Sequence, residues 1–241
     1  MRIAVAGGTG WVGKLVVEQA RAAGHDVVVM SRSTGVDLIT GSGLDEALRG
    51  VEVVIDVANV ETLSRKVAIE WFEKETGHLL AAEEKAGVRH HVVLSIVGVD
   101  RVDSGYYAGK RRQEELALAG PIPVTILRAT QFHEFAAQMI ARVPGPVKVV
   151  PTMVTRPVAA ADVAAELVRL AEGPAQGLGA EIAGPEVLKM GDMMKRIAKG
   201  KLVLTLPLPD AASRAMAHGG LLPTGDFRQG EITFDKWAAT R

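Results

Sequence analysis

Short runs of Val, Ile, Leu and Ala alternate along the chain with longer stretches in which apolar residues recur at helical spacing. Continuous apolar runs are typical of strands covered on both faces, as in a parallel sheet. Strands that alternate with helices predict right-handed crossovers, and hence an α/β fold with a doubly wound parallel sheet. The predicted strands are 2–6, 26–30, 36–39, 51–57, 91–95 and 124–127, and the predicted helices are 11–23, 44–49, a long helix ending at 86, and 106–119.

The pattern changes after about residue 130, where the alternation loosens and Pro and Gly become more frequent. Further strands are predicted at 147–150 and 180–183, and a further helix at 160–171. We interpret 1–241 as one continuous unit without internal repeats or a clear linker. Within it, 1–130 is the predicted core. Residues 131–241 are predicted to form largely a small α+β lobe, with some elements returning to the core.

Composition narrows the choice of partners. Lys plus Arg and Asp plus Glu both number 28, so a formal net charge of zero gives no support for binding nucleic acid or an anionic membrane. Cysteine is absent, which excludes disulfides and thiolate metal sites. The chain starts without the zones of a signal peptide, and no apolar run approaches the ~20 residues that span a bilayer. We therefore expect a soluble, cytoplasmic protein with a small-molecule substrate, and leave a homodimer or a protein partner open.

Four glycines follow the first predicted strand and carry the clearest chemical signal. Gly7, Gly10 and Gly13 form GxxGxxG, and Gly8 with the last two forms GxGxxG. Glycine permits a sharp turn into a helix and a close approach of the backbone to a pyrophosphate, which the helix N-terminus stabilises. A purely structural turn is the alternative, but the strand before it and the βαβ context favour a Rossmann-type cofactor loop. The predicted loop residues are Gly7, Gly8, Thr9, Gly10, Trp11, Val12 and Gly13. Residues 1–130 are therefore the predicted dinucleotide-binding core, and 131–241 largely the predicted substrate lobe.

The end of the second predicted strand selects the cofactor. Enzymes that use NAD usually place Asp or Glu there for the ribose 2′-hydroxyl, whereas this chain has Ser31, Arg32, Ser33 and Thr34. Arg32 can pair with a 2′-phosphate, and Ser31 and Ser33 can add hydrogen bonds. We therefore predict NADP(H) in preference to NAD(H), with a solvated surface arginine as the alternative.

Three further positions are candidate cofactor contacts. Asp37 lies where an adenine-contacting residue often lies in this fold, or it forms a turn. Ala58 and Asn59 end the fourth predicted strand, at the edge where an open α/β sheet binds its ligand.

Ser95, Tyr106 and Lys110 have the residue types of a carbonyl-reducing site. Ser95 ends the fifth predicted strand, and Tyr106 and Lys110 lie four residues apart on one face of a helix. An ammonium group near a phenol lowers the phenol pKa from ~10, so Tyr106 is predicted to exchange a proton with a substrate oxygen. Lys110 is also a candidate cofactor contact, through its ammonium and the ribose. Two alternatives stay open for the pair: Tyr107 with Arg111, which has the same spacing, and a structural role for both side chains.

Adjacent His90 and His91 offer no metal site. Neighbouring residues on a strand point to opposite faces, so these imidazoles cannot jointly bind one ion. No metal is predicted.

The segments GGTGWVG, SRS, YYAGK and ILRATQF together resemble the atypical short-chain dehydrogenase/reductases, and in particular the NmrA-like NAD(P)-binding proteins. The resemblance covers essentially the whole chain and is strongest over 1–172. It implies that Tyr106 and Lys110 are the YxxxK pair, that Ser95 is the family's serine, and that Thr130, Gln131 and Phe132 lie beside the nicotinamide. Ser95 and Tyr106 are closer in sequence here than in many active members.

Two functions follow from the resemblance. The first is an NADP(H)-dependent oxidoreductase that transfers a hydride to a small carbonyl or quinone-like substrate, with Tyr106 as the proton donor. The second is a non-catalytic NADP(H)-binding redox sensor, since the NmrA-like branch contains proteins that bind NADP without turning it over. The intact Ser/Tyr/Lys set favours the enzyme.

Overall fold

The computed structural model describes residues 1–142 and 145–240, so Val143, Pro144 and Arg241 of the predicted lobe lie outside the described residues. The described residues form two compact units. The first comprises Met1–Ser95, Ser104–Arg128 and Val163–Ala180. The second comprises Ile96–Asp103, Ala129–Asp162 and the chain from Glu181 on.

The described helices and strands follow one another in this order: β1 (Arg2–Ala6), α1 (Trp11–Ala22), β2 (Asp26–Met30), α2 (Leu44–Ala47), β3 (Val53–Asp56), α3 (Arg65–Ala86), β4 (His90–Ile96), α4 (Gly105–Ala119), β5 (Val124–Ala129), α5 (Glu134–Arg142), β6 (Val147–Pro151), β7 (Val154–Thr155), α6 (Ala160–Glu172), β8 (Gly177–Ala183), β9 (Leu188–Lys189), α7 (Met190–Ile197), β10 (Leu202–Leu206), α8 (Ala211–Ala217), β11 (Phe227–Gln229) and α9 (Phe234–Ala239).

The sheet of the first unit has the strand order β2-β1-β3-β4-β5-β8, and β1 pairs in parallel with both β2 and β3. Ile3, Ala4 and Val5 of β1 are fully buried, because helices cover both faces of a parallel sheet and leave no polar side to its central strand. This arrangement confirms the predicted doubly wound α/β fold. It also aligns the carboxyl ends of β1 and β3, where such folds bind ligands.

One predicted strand is wrong. Residues 36–39 contribute only an isolated bridge between Asp37 and Ser42. The Asp37 carboxylate accepts a hydrogen bond from the Ile39 amide at 2.8 Å, so it closes a turn on its own backbone. Val36 and Leu38 are nevertheless buried, which explains the strand-like apolar pattern.

The second unit carries small sheets and short helices. β6 and β10 pair in parallel, and β7 and β9 pair antiparallel. The end of β8 pairs in parallel with β11. Helix α7 packs against α5, β6 and β10. Within the described part of the chain, no helix is both long enough and apolar enough to cross a membrane.

Candidate cofactor and catalytic site

The loop between β1 and α1 is folded so tightly that two of its glycines cannot carry a side chain. Gly7 has a left-handed φ of 74°, and a Cβ there would lie 2.8 Å from the Cα of Ala58, beyond the end of β3. A Cβ at Gly13 would lie 2.1 Å from the carbonyl oxygen of Gly7. These glycines therefore set the shape of the loop through its own packing.

Gly10 faces a more open space than its neighbours. A Cβ there would have one neighbour within 4 Å in the described structure, the Gly7 oxygen at 3.1 Å. Helix α1 begins at Trp11 without a side-chain cap and without an acidic residue in its first turn. No capping side chain therefore occupies the start of this helix, and the loop fits the pyrophosphate of a dinucleotide.

Beyond β2 the chain turns through a short 3₁₀ helix, Arg32–Thr34, that presents polar groups to solvent. The Thr34 hydroxyl donates to the carbonyl of Val29 at 2.8 Å and accepts from the Ser31 amide at 3.0 Å, so it holds the turn. The hydroxyl groups of Ser31 and Ser33 form a hydrogen bond of 2.9 Å with each other. Arg32 is exposed, and within residues 1–142 and 145–240 no side chain pairs with its guanidinium. The role of these groups at a ribose 2′-phosphate stays a prediction.

The segment after β3 links the cofactor loop to α4. The Asp56 carboxylate is buried and accepts from the Ala58 amide at 2.9 Å, which turns the chain after the strand. Asn59 is exposed, and its Oδ1 accepts a hydrogen bond from the Tyr106 hydroxyl at 2.6 Å. Two predicted site residues, one after a strand and one on a helix, are thus brought together.

Tyr106 lies in the first turn of α4, where Ser104 caps the helix by accepting from the Tyr107 amide at 3.3 Å. Burial raises the pKa of the Tyr106 phenol above its ordinary value of 10, and the neighbouring Tyr107 adds to that shift. The direction is opposite to the predicted lowering by Lys110. The hydroxyl therefore stays protonated at neutral pH.

Lys110 points into a buried polar network. Its Nζ donates to the Leu94 carbonyl oxygen at 2.6 Å and to Oε1 of Gln113, and it lies 4.8 Å from the centre of the Phe72 ring. Gln113 in turn donates its amide to Asp56 at 2.7 Å. Burial lowers the pKa of the Lys110 ammonium, and nearby carboxylates, foremost Asp56, oppose the shift. The ammonium is thus bound to this network instead of to the phenol oxygen.

Glu75, on α3, completes this network, and its carboxyl is fully buried. Its Oε2 accepts from the Thr76 hydroxyl at 2.9 Å and lies 3.4 Å from the Gln113 amide nitrogen. Burial, followed by the charge of Asp56, raises the pKa of Glu75 well above its ordinary range. The sequence analysis missed Asp56, Glu75 and Gln113. The one signal available was Gln113, which lies one helical turn after Lys110.

Ser95 lies in a second buried cluster. Its side chain is almost fully buried, and its hydroxyl donates to Oε1 of Glu114 at 2.5 Å. Glu114 also accepts two hydrogen bonds from Arg128, at 2.9 and 2.7 Å. The hydroxyls of Ser95 and Tyr106 therefore have different partners, and the role of Ser95 at a substrate oxygen stays a prediction.

The three residues predicted to lie beside the nicotinamide follow β5 and belong to the second unit. Thr130 is buried, and its hydroxyl donates to the Arg156 carbonyl at 2.6 Å. Gln131 accepts from the Thr155 hydroxyl at 2.5 Å, and Phe132 forms a bridge with Val158. Their cofactor role also stays a prediction.

The two adjacent histidines have separate partners. His90 shares a hydrogen bond with Thr125 and His91 with Glu83, each at 2.8 Å. Among the residues that the structure describes, no three His, Asp or Glu side chains form a metal-binding group.

Comparison with known proteins agrees with this geometry. Residues 7–174 match the family described as "NAD(P)H-binding". The chain is 31% identical over 144 residues, 54% of its length, to a (4-alkanoyl-5-oxo-2,5-dihydrofuran-3-yl)methyl phosphate reductase of Streptomyces griseus, of which that match covers 48%. It is also 31% identical over 113 residues, 40% of its length, to the photosystem II assembly factor Ycf39 of Synechocystis, of which 34% is covered. The chain thus spans about half or less of these relatives.

Among solved structures, a short-chain dehydrogenase/reductase superfamily protein of Agrobacterium tumefaciens with bound NAD superposes with a TM-score of 0.73. The superposition covers 100% of this chain and 95% of that chain at 19% sequence identity. Similarity at this level establishes the shared fold.

Proposed function

This protein belongs to the NAD(P)H-binding family, and from that premise we propose that it is an NADP(H)-dependent reductase of a small carbonyl or quinone-like compound. The observation that carries this proposal is the Tyr106 hydroxyl, which donates a hydrogen bond to Asn59 after β3. A reductase needs a proton donor where the cofactor binds, and a neutral phenol meets that need. One relative that covers about half of the chain is named a reductase.

NADP(H) is favoured by the groups that follow β2. Arg32 is exposed and unpaired by any described side chain, and the Ser31 and Ser33 hydroxyls accompany it. A guanidinium suits a phosphate dianion better than it suits a ribose hydroxyl, because it forms charge-assisted and bidentate hydrogen bonds. The phosphate loop and the N-terminus of α1, which no side chain caps, bind the pyrophosphate shared by both cofactors.

The proton comes from Tyr106. Bound NADPH supplies the hydride that reduces the carbonyl carbon. The Tyr106 hydroxyl leaves Asn59 to bond the substrate oxygen, and its proton passes to that oxygen as negative charge develops there. Asn59 holds the hydroxyl in a fixed orientation before the substrate binds. Lys110 and its partners stabilise the first two turns of α4, which carry Tyr106.

Turnover tests the proposal directly. Consumption of NADPH is measured by absorbance with wild type, Tyr106→Phe and Tyr107→Phe against a panel of aldehydes, ketones and quinones. Activity in wild type, its loss in Tyr106→Phe and its retention in Tyr107→Phe support the proposal. Loss in Tyr107→Phe alone would assign the chemistry to Tyr107 and Arg111 instead.

The alternative is a non-catalytic NADP(H) sensor. It is favoured by the contacts of Ser95 and Lys110, whose polar atoms are bound inside the first unit instead of to Tyr106. One of the relatives that is 31% identical to part of this chain is named an assembly factor. If no member of the panel oxidises NADPH while NADPH changes the affinity for a protein partner, the sensor is the function.

A further inference from the structure

The small sheet formed by β6 and β10 exposes an apolar face. The parallel register sets Val147 beside Leu202 and Val149 beside Leu204. These four side chains and that of Leu206 are between 40% and 57% exposed. We refer to these five residues as the outer face.

Most of the opposite face of the same two strands is buried. Lys148 and Val150 of β6 and Val203 of β10 are buried there, Thr205 of β10 is exposed, and α7 packs against both strands. A sheet with one covered face ordinarily has polar residues on its other face. Here the outer face carries only aliphatic side chains, which is the pattern of a face that another layer of protein covers.

We propose that the outer face is the contact surface of a homodimer, in which it packs on the same face of a second copy. The five side chains are aliphatic, so the surface that covers them must be apolar and equally flat. A second outer face meets both conditions, since two sheets pack face to face about 10 Å apart with interdigitated side chains. A contact between identical surfaces closes as a two-fold dimer and leaves no open end for a filament.

Charges at the ends of the outer face favour an antiparallel arrangement, which a two-fold axis perpendicular to the strands produces. Lys199 and Lys201 precede β10, and Asp210 follows it. All three are exposed. With that axis, the basic end of one β10 lies toward the acidic end of its partner, whereas an axis parallel to the strands would set like charges together.

The size of the outer face agrees with this role. Five half-exposed aliphatic side chains present on the order of 300 Å² of apolar surface, the size of the largest apolar patch on a typical monomer, which is often a functional surface. A specific dimer buries roughly 500 Å² or more on each partner. The outer face supplies the apolar centre of such an interface, and the exposed Leu208 and the charged strand ends supply its rim.

Cross-linking through one introduced thiol tests the contact. The chain has no cysteine, so Leu204→Cys, at the middle of the outer face, creates a single reactive group. Under mild oxidation we expect Leu204→Cys to form a disulfide-linked dimer in high yield. The matched control is Leu118→Cys on α4, which is similarly exposed but lies outside the outer face, and it should stay monomeric on a denaturing gel. Equal cross-linking of the two variants would overturn the proposal.

Solution mass provides the second measurement, independent of enzymatic activity. Light scattering after gel filtration should give twice the chain mass for wild type and for Leu118→Glu, and the chain mass for Leu204→Glu. A wild type that remains monomeric across the micromolar range overturns the dimer. The dimer is also overturned if the wild type is a monomer that binds phosphatidylcholine vesicles and Leu204→Glu abolishes that binding. In that case the outer face contacts lipid. If Leu204→Glu fails to fold, the cross-linking comparison decides alone.

Discussion

The hydroxyl of Tyr106 donates a hydrogen bond to Oδ1 of Asn59 over 2.6 Å and so joins the first turn of α4 to the segment that follows β3. The Phe72 ring lies 6.1 Å from the Tyr106 ring, centre to centre, and also contacts the Lys110 ammonium. Aromatic packing and one hydrogen bond therefore fix the phenol, while burial keeps it protonated.

Removing this hydroxyl should separate catalysis from cofactor binding. Tyr106→Phe keeps the ring and its contact with Phe72, so we expect NADPH affinity to change little. Turnover should fall by about 100-fold or more, the usual contribution of a positioned acid. Steady-state kinetics and fluorescence titration with NADPH measure the two effects. Tyr107→Phe is the matched control on the adjacent residue, and a turnover close to wild type in Tyr106→Phe would contradict the assignment.

Arg32 should distinguish the two nicotinamide cofactors. Arg32→Ala removes the charge-assisted hydrogen bonds to a 2′-phosphate, so we expect it to weaken NADPH binding by ~1.5–3 kcal/mol. Affinity for NADH, which lacks that phosphate, should be almost unchanged. Titration calorimetry with both cofactors measures the difference. Equal affinities of wild type for NADPH and NADH would disprove the selectivity.

Gly10 and Gly13 should respond differently to substitution. Gly10 has extended backbone angles that any residue adopts and an open surrounding, so Gly10→Val should fold and yet place a side chain where the pyrophosphate approaches. Gly13→Ala would set a Cβ 2.1 Å from the Gly7 oxygen, so it should lower thermal stability. Circular dichroism and NADPH titration are the measurements. Normal NADPH binding by a folded Gly10→Val protein would show that the phosphate site lies elsewhere.

Elements that depend on interactions between residues close in sequence could be predicted, whereas pairings between distant segments could not. The continuous apolar run of β1 and the helix stop at Gly87, which has a left-handed φ of 74°, are local signals, and the structure confirms both. The turn closed by Asp37 is also local. The buried Val36 and Leu38 nevertheless have the apolar pattern of a strand, so a strand was predicted over 36–39. The pairing of β6 with β10 joins segments distant in sequence, which periodicity does not reveal.

The same difference between local and long-range interactions applies to the candidate site. Glycine at the phosphate loop was predictable because a backbone conformation demands that residue type. The sequence did not predict that the Lys110 side chain points inward. That direction depends on Gln113 and Asp56, which are 57 residues apart in sequence. Helical spacing placed Lys110 on the same face as Tyr106, but the burial of nearby carboxyl groups determined where the ammonium points.

Glu75 makes stability depend on pH. Its pKa is raised in the folded chain, so between its ordinary value of 4.5 and that raised value the folded state holds a proton that the unfolded state has released. Stability therefore falls as pH rises through this window, because the unfolded state binds fewer protons. Glu75→Gln retains the shape and the acceptor for Thr76 while abolishing the titration.

We expect Glu75→Gln to raise the free energy of unfolding at pH 7, because the folded wild type holds a proton there that the unfolded chain has released. The gain should shrink as pH falls through 4.5, because well below that pH the wild-type carboxyl is protonated in both states. Urea unfolding at several pH values measures this dependence. Glu84→Gln, an exposed change on the same helix, is the control and should move stability by less than ~0.5 kcal/mol at every pH. A pH-independent effect of Glu75→Gln, or a loss of stability at neutral pH, would mean that Glu75 is ionised in the folded chain and paired with Lys110.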